Sequence, residues 1–297
     1  MTIKTIAVLG AGIMGRGIAY VSALGGYTTL LQDPSDDALK KGAADVHAVL
    51  AKGVEAGKVS AADAEAARGR LRTVTTLEDA ARNADLVIEA APEKIELKID
   101  LFAKLDRIAP KHALLASNTS SMSITEMAAA TERPAQVMGM HFFNPVHRMK
   151  LLEVVRALES SDAAIAAACD VGVRMGKECV VVRESPGFVT SRINAMIGNE
   201  AFYMLQEGVA SAADIDKALK LGLNHPMGPF ELVDLVGLDT RLSILRFLHR
   251  TLGEKFRPCP LIEQYVAAGR LGRKSGRGVY DYPSPAAAKE TKPAGVR

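Results

Sequence analysis

The chain reads as an α/β protein, a doubly wound and mostly parallel sheet followed by an all-helical C-terminal domain. Three observations predict this. Short apolar, β-branched runs alternate with helical patterns up to about residue 183. A glycine-rich turn joins the first run to the first helix. Beyond Pro186 only helical spacing remains, which puts the domain boundary at about residue 184 and gives domains 1–184 and 185–297.

The bulk numbers fit that frame. The 297 residues suffice for two ordinary domains, and 48% hydrophobic with 24% charged residues is usual for a globular protein. A net charge of +3 is too small to point to nucleic acid or an anionic membrane as the main partner. Cys169, Cys179 and Cys259 are odd in number and form no C-x-x-C pair, so neither a disulfide framework nor a zinc site is indicated, and a reducing cytoplasm is expected. Met1 leads straight into the first strand, so no signal peptide is expected. No apolar run approaches the roughly 18 residues of a membrane span.

Residues 4–33 read KTIAVLGAGIMGRGIAYVSALGGYTTLLQD. Strand, tight turn, helix, strand and acid follow one another. Gly10, Gly12 and Gly15 have the spacing G-x-G-x-x-G. Gly10 lets the chain turn sharply, Gly12 lets backbone approach a pyrophosphate, and Gly15 lets helix pack on sheet. The helix N-terminus offers N–H groups and partial positive charge to phosphates. Asp33, 18 residues beyond Gly15, is placed to accept hydrogen bonds from a ribose. These are the parts of a Rossmann-type dinucleotide site; the competing reading is a plain glycine turn. Asp33 favours NAD over NADP, because its carboxylate repels a 2′-phosphate and residues 34–37 bring no Arg or Lys.

Residues 34–57 and 61–69 read as charged, alanine-rich helices, expected to project from the sheet as a hairpin. Lys40, Lys41, Lys52 and Lys58 along it suit either a solvated face or a site for ligand phosphates. Alternation then resumes with strands at 71–75, 85–90, 113–117, 136–143, 151–156 and 179–182, and helices at 77–83, 95–108, 123–130 and 165–175. Ser123 and Glu126 form a capping-box pattern. Ser185 reads as an N-cap with Pro186 at a first helical position. A long amphipathic helix follows, equally suited to a core or to a second subunit. Further helices are expected at 212–221, 229–252 and 261–268, and a disordered tail over the last dozen residues.

In an open parallel sheet, ligands bind beyond the carboxyl ends of the strands. Glu89, the run Ser117 to Ser120, and His141 with Asn144 occupy three such ends. His141 is the acid/base candidate, since imidazole exchanges protons near neutrality; the competing reading is a satisfied core histidine. Glu153 sits in the apolar run LLEVV, where a carboxylate needs a partner. An imidazole on the neighbouring strand would serve, unless Glu153 faces solvent from an edge. Ser120 suits either a substrate hydrogen bond or a turn. No G-x-S-x-G surrounds it, which argues against a nucleophile. His112, His147, His225 and His249 lack such a partner and read as surface or packing residues, as does His47. No spacing suggests a metal site.

SNTSS at 117–121, GMHFFNP at 139–145, KLLEVV at 150–155, ESPGFV at 184–189 and HPMGPFELVDLVGLD at 225–239 resemble the L-3-hydroxyacyl-CoA dehydrogenases, above all the short bacterial 3-hydroxybutyryl-CoA dehydrogenases. The resemblance runs from residue 4 to about 282. It implies an N-terminal NAD domain, a helical C-terminal domain that makes a homodimer, and an acyl-CoA substrate in the cleft between them. It implies oxidation of (S)-3-hydroxyacyl-CoA by NAD to 3-oxoacyl-CoA, and the reverse. His141 takes the place of the catalytic base, Glu153 of its orienting partner, and Ser120 of the hydroxyl touching substrate and cofactor. The implied NAD contacts are the glycine turn (Gly10, Ala11, Gly12, Ile13, Met14 and Gly15), Asp33, Glu93, Lys98, Ser120, Asn144 and Lys274. Lys52 and Lys58 are the candidates for CoA. The chain departs from the pattern at Ser191, where the family usually has an active-site Asn. Asn194, one turn on, can present an amide from the same helix face. Two other readings stay open: a dehydrogenase of a free hydroxy acid or sugar acid, and a silent NAD-binding scaffold.

Overall fold

A computed structural model describes residues 2–283, and the last dozen residues, expected to be disordered, lie outside them. Two compact units divide after Phe188. That is four residues later than the sequence boundary, because Phe188 is buried in the core of the first unit.

The first unit runs β1 (Thr5–Leu9), α1 (Ile13–Leu24), β2 (Thr28–Gln32), α2 (Asp36–Glu55), α3 (Ala61–Arg70), β3 (Leu71–Val74) and α4 (Leu77–Ala81). It continues with β4 (Leu86–Glu89), α5 (Ile95–Ile108), β5 (Leu114–Ser117), α6 (Ile124–Ala129), β6 (Val137–Phe142), β7 (Leu151–Arg156), α7 (Asp162–Arg174) and β8 (Glu178–Arg183). The described strands form one sheet in the order β3-β2-β1-β4-β5-β6-β7-β8. Every pairing is parallel except β6 with β7, which is antiparallel. The order reverses between β1 and β4, and a crevice opens at such a point.

Strand β1 shows how the sheet is held. Ile6 and Val8 enter one apolar cluster, while Ala7 and Leu9 enter another. Successive side chains leave a strand on opposite faces, so a strand covered on both sides must be apolar throughout. The helices start where the sequence supplies acceptors. Ser35, Ser60, Thr76, Ser123, Ser161 and Ser211 each accept an N–H from the first turn of the helix that follows. Such caps contribute about 1 kcal/mol each.

The 36–70 hairpin lies against α1 instead of standing clear. Leu39, Val46, Leu50, Ala64 and Ala67 share a buried cluster with Ile18 and Tyr20. The capping box at α6 is only half formed. Ser123 Oγ accepts from Glu126 N–H, but donates to Glu184 at 2.6 Å.

The second unit is helical: α8 (Thr190–Gln206), α9 (Ala212–Gly222), α10 (Pro229–Val236), α11 (Leu238–Leu252) and α12 (Pro260–Ala267). Phe202, Phe230, Leu245 and Phe256 anchor its core. Two sequence expectations fail here. Residues 229–252 are two helices, broken at Gly237 with φ +105°. Helix α8 starts at Thr190, not at Pro186, because Gly187 and Phe188 take left-handed backbone (φ +74° and +47°) that no α-helix accommodates.

Candidate active site

The glycine turn separates what the fold needs from what a ligand needs. A Cβ on Gly15 would lie 1.7 Å from Gly10 O, and one on Gly10 would lie 2.7 Å from Ala90 O. Those glycines are required by packing. A Cβ on Gly12 would meet no protein atom within 4 Å, so the space above Gly12 is open. Helix α1 starts there with no side-chain cap and no acid in its first turn. Its exposed N–H groups suit a pyrophosphate. Asp33 accepts from Ala11 N–H at 2.9 Å and from Ser35 N–H at 3.0 Å. Each carboxylate oxygen keeps a lone pair for a ribose hydroxyl. These residues fit a dinucleotide.

At the ends of β4 and β5, Glu89 is wholly buried. It accepts from Lys98 Nζ at 2.6 Å, Ala91 N–H at 2.6 Å and Ser117 Oγ at 2.5 Å. Glu89 is therefore part of the floor of this region and not a ligand group. The Lys98 amine also reaches Ala91 O at 3.2 Å and Glu93 at 3.4 Å, and is 1% exposed. The amine is thus held between Glu89 and Glu93. Glu93 is exposed; its carboxylate accepts from Thr119 Oγ1 at 3.0 Å and Ser120 N–H at 3.1 Å. It thereby holds the turn that carries Ser120.

The ends of β6 and β7 carry the titratable pair. Register places His141 directly opposite Glu153. Their side chains meet with Nδ1 2.7 Å from Glu153 Oε2, both buried. Strand β7 is not an edge strand, and Glu153 is 1% exposed. An ionised carboxylate only accepts, so Nδ1 carries the proton and Nε2 keeps the lone pair for chemistry. The Phe143 ring lies 4.5 Å from the imidazole, centroid to centroid. Asn118, within the run Ser117 to Ser120, accepts from Phe142 N–H at 2.9 Å and ties the end of β5 to that of β6.

Lys52 and Asn144 line one cavity of about 350 Å³, together with Arg16, Tyr20 and His147. Burial, then the charges of Arg148, Lys177 and Lys58, hold the His147 imidazole below its ordinary value. Lys58 is exposed just beyond α2 and is not among the residues lining that cavity. Two other histidines do have acidic partners, both at partly exposed positions. His112 Nε2 is 3.0 Å from Asp85 and His249 Nε2 is 3.0 Å from Glu254. Among the described residues, no group of three or more His, Cys, Asp or Glu could hold a metal ion.

In the second unit, Ser191 and Asn194 lie on the first turns of α8, three residues apart on one face. Lys274 Nζ is 2.7 Å from Asp239 Oδ2. The segment bearing Lys274 is pinned by buried acids that sequence reasoning passed over. Asp234 accepts from Val279 N–H and Tyr280 N–H, and Asp216 accepts from Tyr280 OH at 2.8 Å. Burial and the bond to Asp216 push the Tyr280 phenol up.

Comparison with known proteins agrees with this geometry. Residues 5–185 match the model of the 3-hydroxyacyl-CoA dehydrogenase NAD binding domain, and residues 187–282 match that family's C-terminal domain. The chain is 48% identical over 283 residues to a probable 3-hydroxybutyryl-CoA dehydrogenase of Bacillus subtilis, covering 95% of this chain and 98% of that one. It is 46% identical to the 3-hydroxybutyryl-CoA dehydrogenase of Bradyrhizobium diazoefficiens over 94% of this chain and 96% of the relative. The crystal structure of (S)-3-hydroxybutyryl-CoA dehydrogenase from Ralstonia eutropha superposes with a TM-score of 0.92 at 44% identity, covering 95% of this chain and all of that one.

Proposed function

The chain belongs to the 3-hydroxyacyl-CoA dehydrogenase family, and from that premise we propose that it interconverts (S)-3-hydroxyacyl-CoA and 3-oxoacyl-CoA, with 3-hydroxybutyryl-CoA as the short-chain substrate and NAD as the cofactor. The observation that carries the reading is the buried His141–Glu153 pair, 2.7 Å apart at the carboxyl end of β6.

His141 Nε2 accepts the proton of the 3-hydroxyl as the alcohol is oxidised, and returns it to the developing alkoxide in reduction. Glu153 holds the imidazole in the tautomer that leaves Nε2 basic, and stabilises the cation once formed. Ser120 donates a hydrogen bond to the substrate oxygen. Ser191 and Asn194 supply further polar contacts to the acyl group, Ser191 with a shorter reach than the usual Asn. NAD, when bound, supplies the hydride acceptor. The glycine turn from Gly10 to Gly15 cradles its pyrophosphate and Asp33 takes its ribose. Glu93, Lys98, Asn144 and Lys274 complete its setting, with the Lys98 amine held against Glu89 and Glu93. Lys52, with Lys58 nearby, serves the phosphates of CoA.

The first unit is then the NAD domain, and the helical unit serves substrate and a homodimer. A cytoplasmic enzyme fits these roles. No described helix is long and apolar enough to cross a membrane. The test is NADH oxidation with acetoacetyl-CoA beside free 3-oxo acids, NADPH in parallel, and a chain-length series. Turnover confined to the thioesters with NADH bears the proposal out. Equal turnover of free acids removes CoA from it, and no turnover of any substrate leaves only an NAD-binding protein.

A further inference from the structure

We propose that Phe188, whose left-handed backbone is held in place by its surroundings, is a positioning residue for the His141 imidazole. The inference rests on His141 being the base, as proposed above. Phe188 has φ +47°, a region that penalises any residue with a Cβ. Strain of this kind persists only where neighbouring structure over-determines it, and it gathers at functional positions. The neighbours that hold it are identifiable. Glu184 N–H donates to Arg156 O at 2.9 Å, and its carboxylate accepts from Ser123 Oγ at 2.6 Å and Thr125 N–H at 2.8 Å. Phe188 N–H donates to Ser185 O at 2.9 Å and closes the turn.

What the strained backbone achieves is the placement of one ring. The Phe188 side chain is buried with Val155 and Val182, and its ring centroid lies 5.7 Å from that of His141. Phe143 contributes a second ring at 4.5 Å. A single hydrogen bond at Nδ1 fixes one edge of an imidazole and leaves its tilt free. Tilted aromatic neighbours at these separations restrict it. Preorganised groups need such support, because small displacements of a reacting group cost rate. A glycine at 188 would satisfy the backbone better, so the ring is what the position retains.

The test compares Phe188→Leu, which keeps an apolar side chain and the strain, with Phe188→Gly, which relieves the strain and deletes the ring. Both should bind NADH with the wild-type Kd and keep KM for acetoacetyl-CoA within about threefold, while kcat falls about tenfold, less than the about 10²-fold a 1 Å misplacement can cost. In proton NMR spectra, the downfield His141 Nδ1–H resonance of the wild type should broaden in both. A folded Phe188→Gly protein with wild-type kcat and an unchanged resonance overturns the proposal. Should both variants fail to fold, the wild type decides: nuclear Overhauser contacts between the two rings support the proposal and their absence overturns it. The spectra need no substrate, so they judge the positioning role even if the activity assay fails.

Discussion

Replacing Glu153 by Gln removes the charge that faces the imidazolium while keeping the size of the side chain. The structure sets the scale of the loss. Nδ1 and Oε2 are 2.7 Å apart in a buried setting. With each charge spread over its group, the centres lie about 4 Å apart, worth about 4 kcal/mol at an effective dielectric of about 20. Glutamine restores a neutral hydrogen bond of about 1 kcal/mol. The remaining loss of about 3 kcal/mol corresponds to about 10²-fold in rate. The amide can also present N–H₂ to Nδ1, which favours the tautomer with Nε2 protonated and deepens the loss. The assay is kcat for NADH formation from saturating (S)-3-hydroxybutyryl-CoA and NAD, with the Kd for NADH measured alongside. We expect kcat to drop about 10²-fold with NADH binding unchanged. Adding the substitution to His141→Gln should cost nothing more, since the carboxylate acts through the imidazole. A Glu153→Gln enzyme within threefold of wild type, or strictly additive losses, would mean that the carboxylate does not act through the imidazole.

Other outcomes follow from the same geometry. Gly12→Ala should leave stability within about 0.5 kcal/mol yet weaken NADH binding at least tenfold, because its Cβ meets only open space; Gly15→Ala should unfold the protein or sharply lower its Tm, because its Cβ would strike Gly10 O. Wild-type NADH affinity in the first variant would remove the pyrophosphate from above Gly12. Burial opposes the charge on Asp106, but hydrogen bonds from Arg133 and Glu132 N–H outweigh it and hold its carboxyl below the usual range. Its contribution is therefore present above the unfolded carboxyl pKa of about 3.9 and is lost as pH falls through the lower folded value. Urea titrations of Asp106→Asn should show a shallower loss of stability through that acid window than wild type. Ser191→Ala should change kcat or chain-length preference; identical kinetics would take Ser191 out of the mechanism.

The sheet was readable because parallel strands covered on both faces are apolar along their length, as in residues 86–88 and 114–116. The His141–Glu153 pair was readable for a related reason. A carboxylate inside LLEVV needs a partner, and two strands a short connection apart supply one. What escaped the sequence depends on distant partners or on backbone sign. The start of α6 is also held by Glu184, which arrives from 61 residues away to accept from Ser123 Oγ. The burial of Lys98 has no local sign, because Glu89, its partner at 2.6 Å, comes from β4. The Pro186 helix start and the unbroken 229–252 helix both failed at positive φ, at Phe188 and at Gly237. Glycine allows such a break without announcing it, and phenylalanine gives no local sign at all.

In the proposed reaction the Nε2 nitrogen of His141 moves the proton of the 3-hydroxyl. Single-turnover NADH formation by His141→Gln, with NAD and (S)-3-hydroxybutyryl-CoA prebound at saturation, tests it most directly. The expected rate is about 10²-fold or more below wild type, the scale of a lost general base, with NADH affinity intact. A near-normal rate would contradict it.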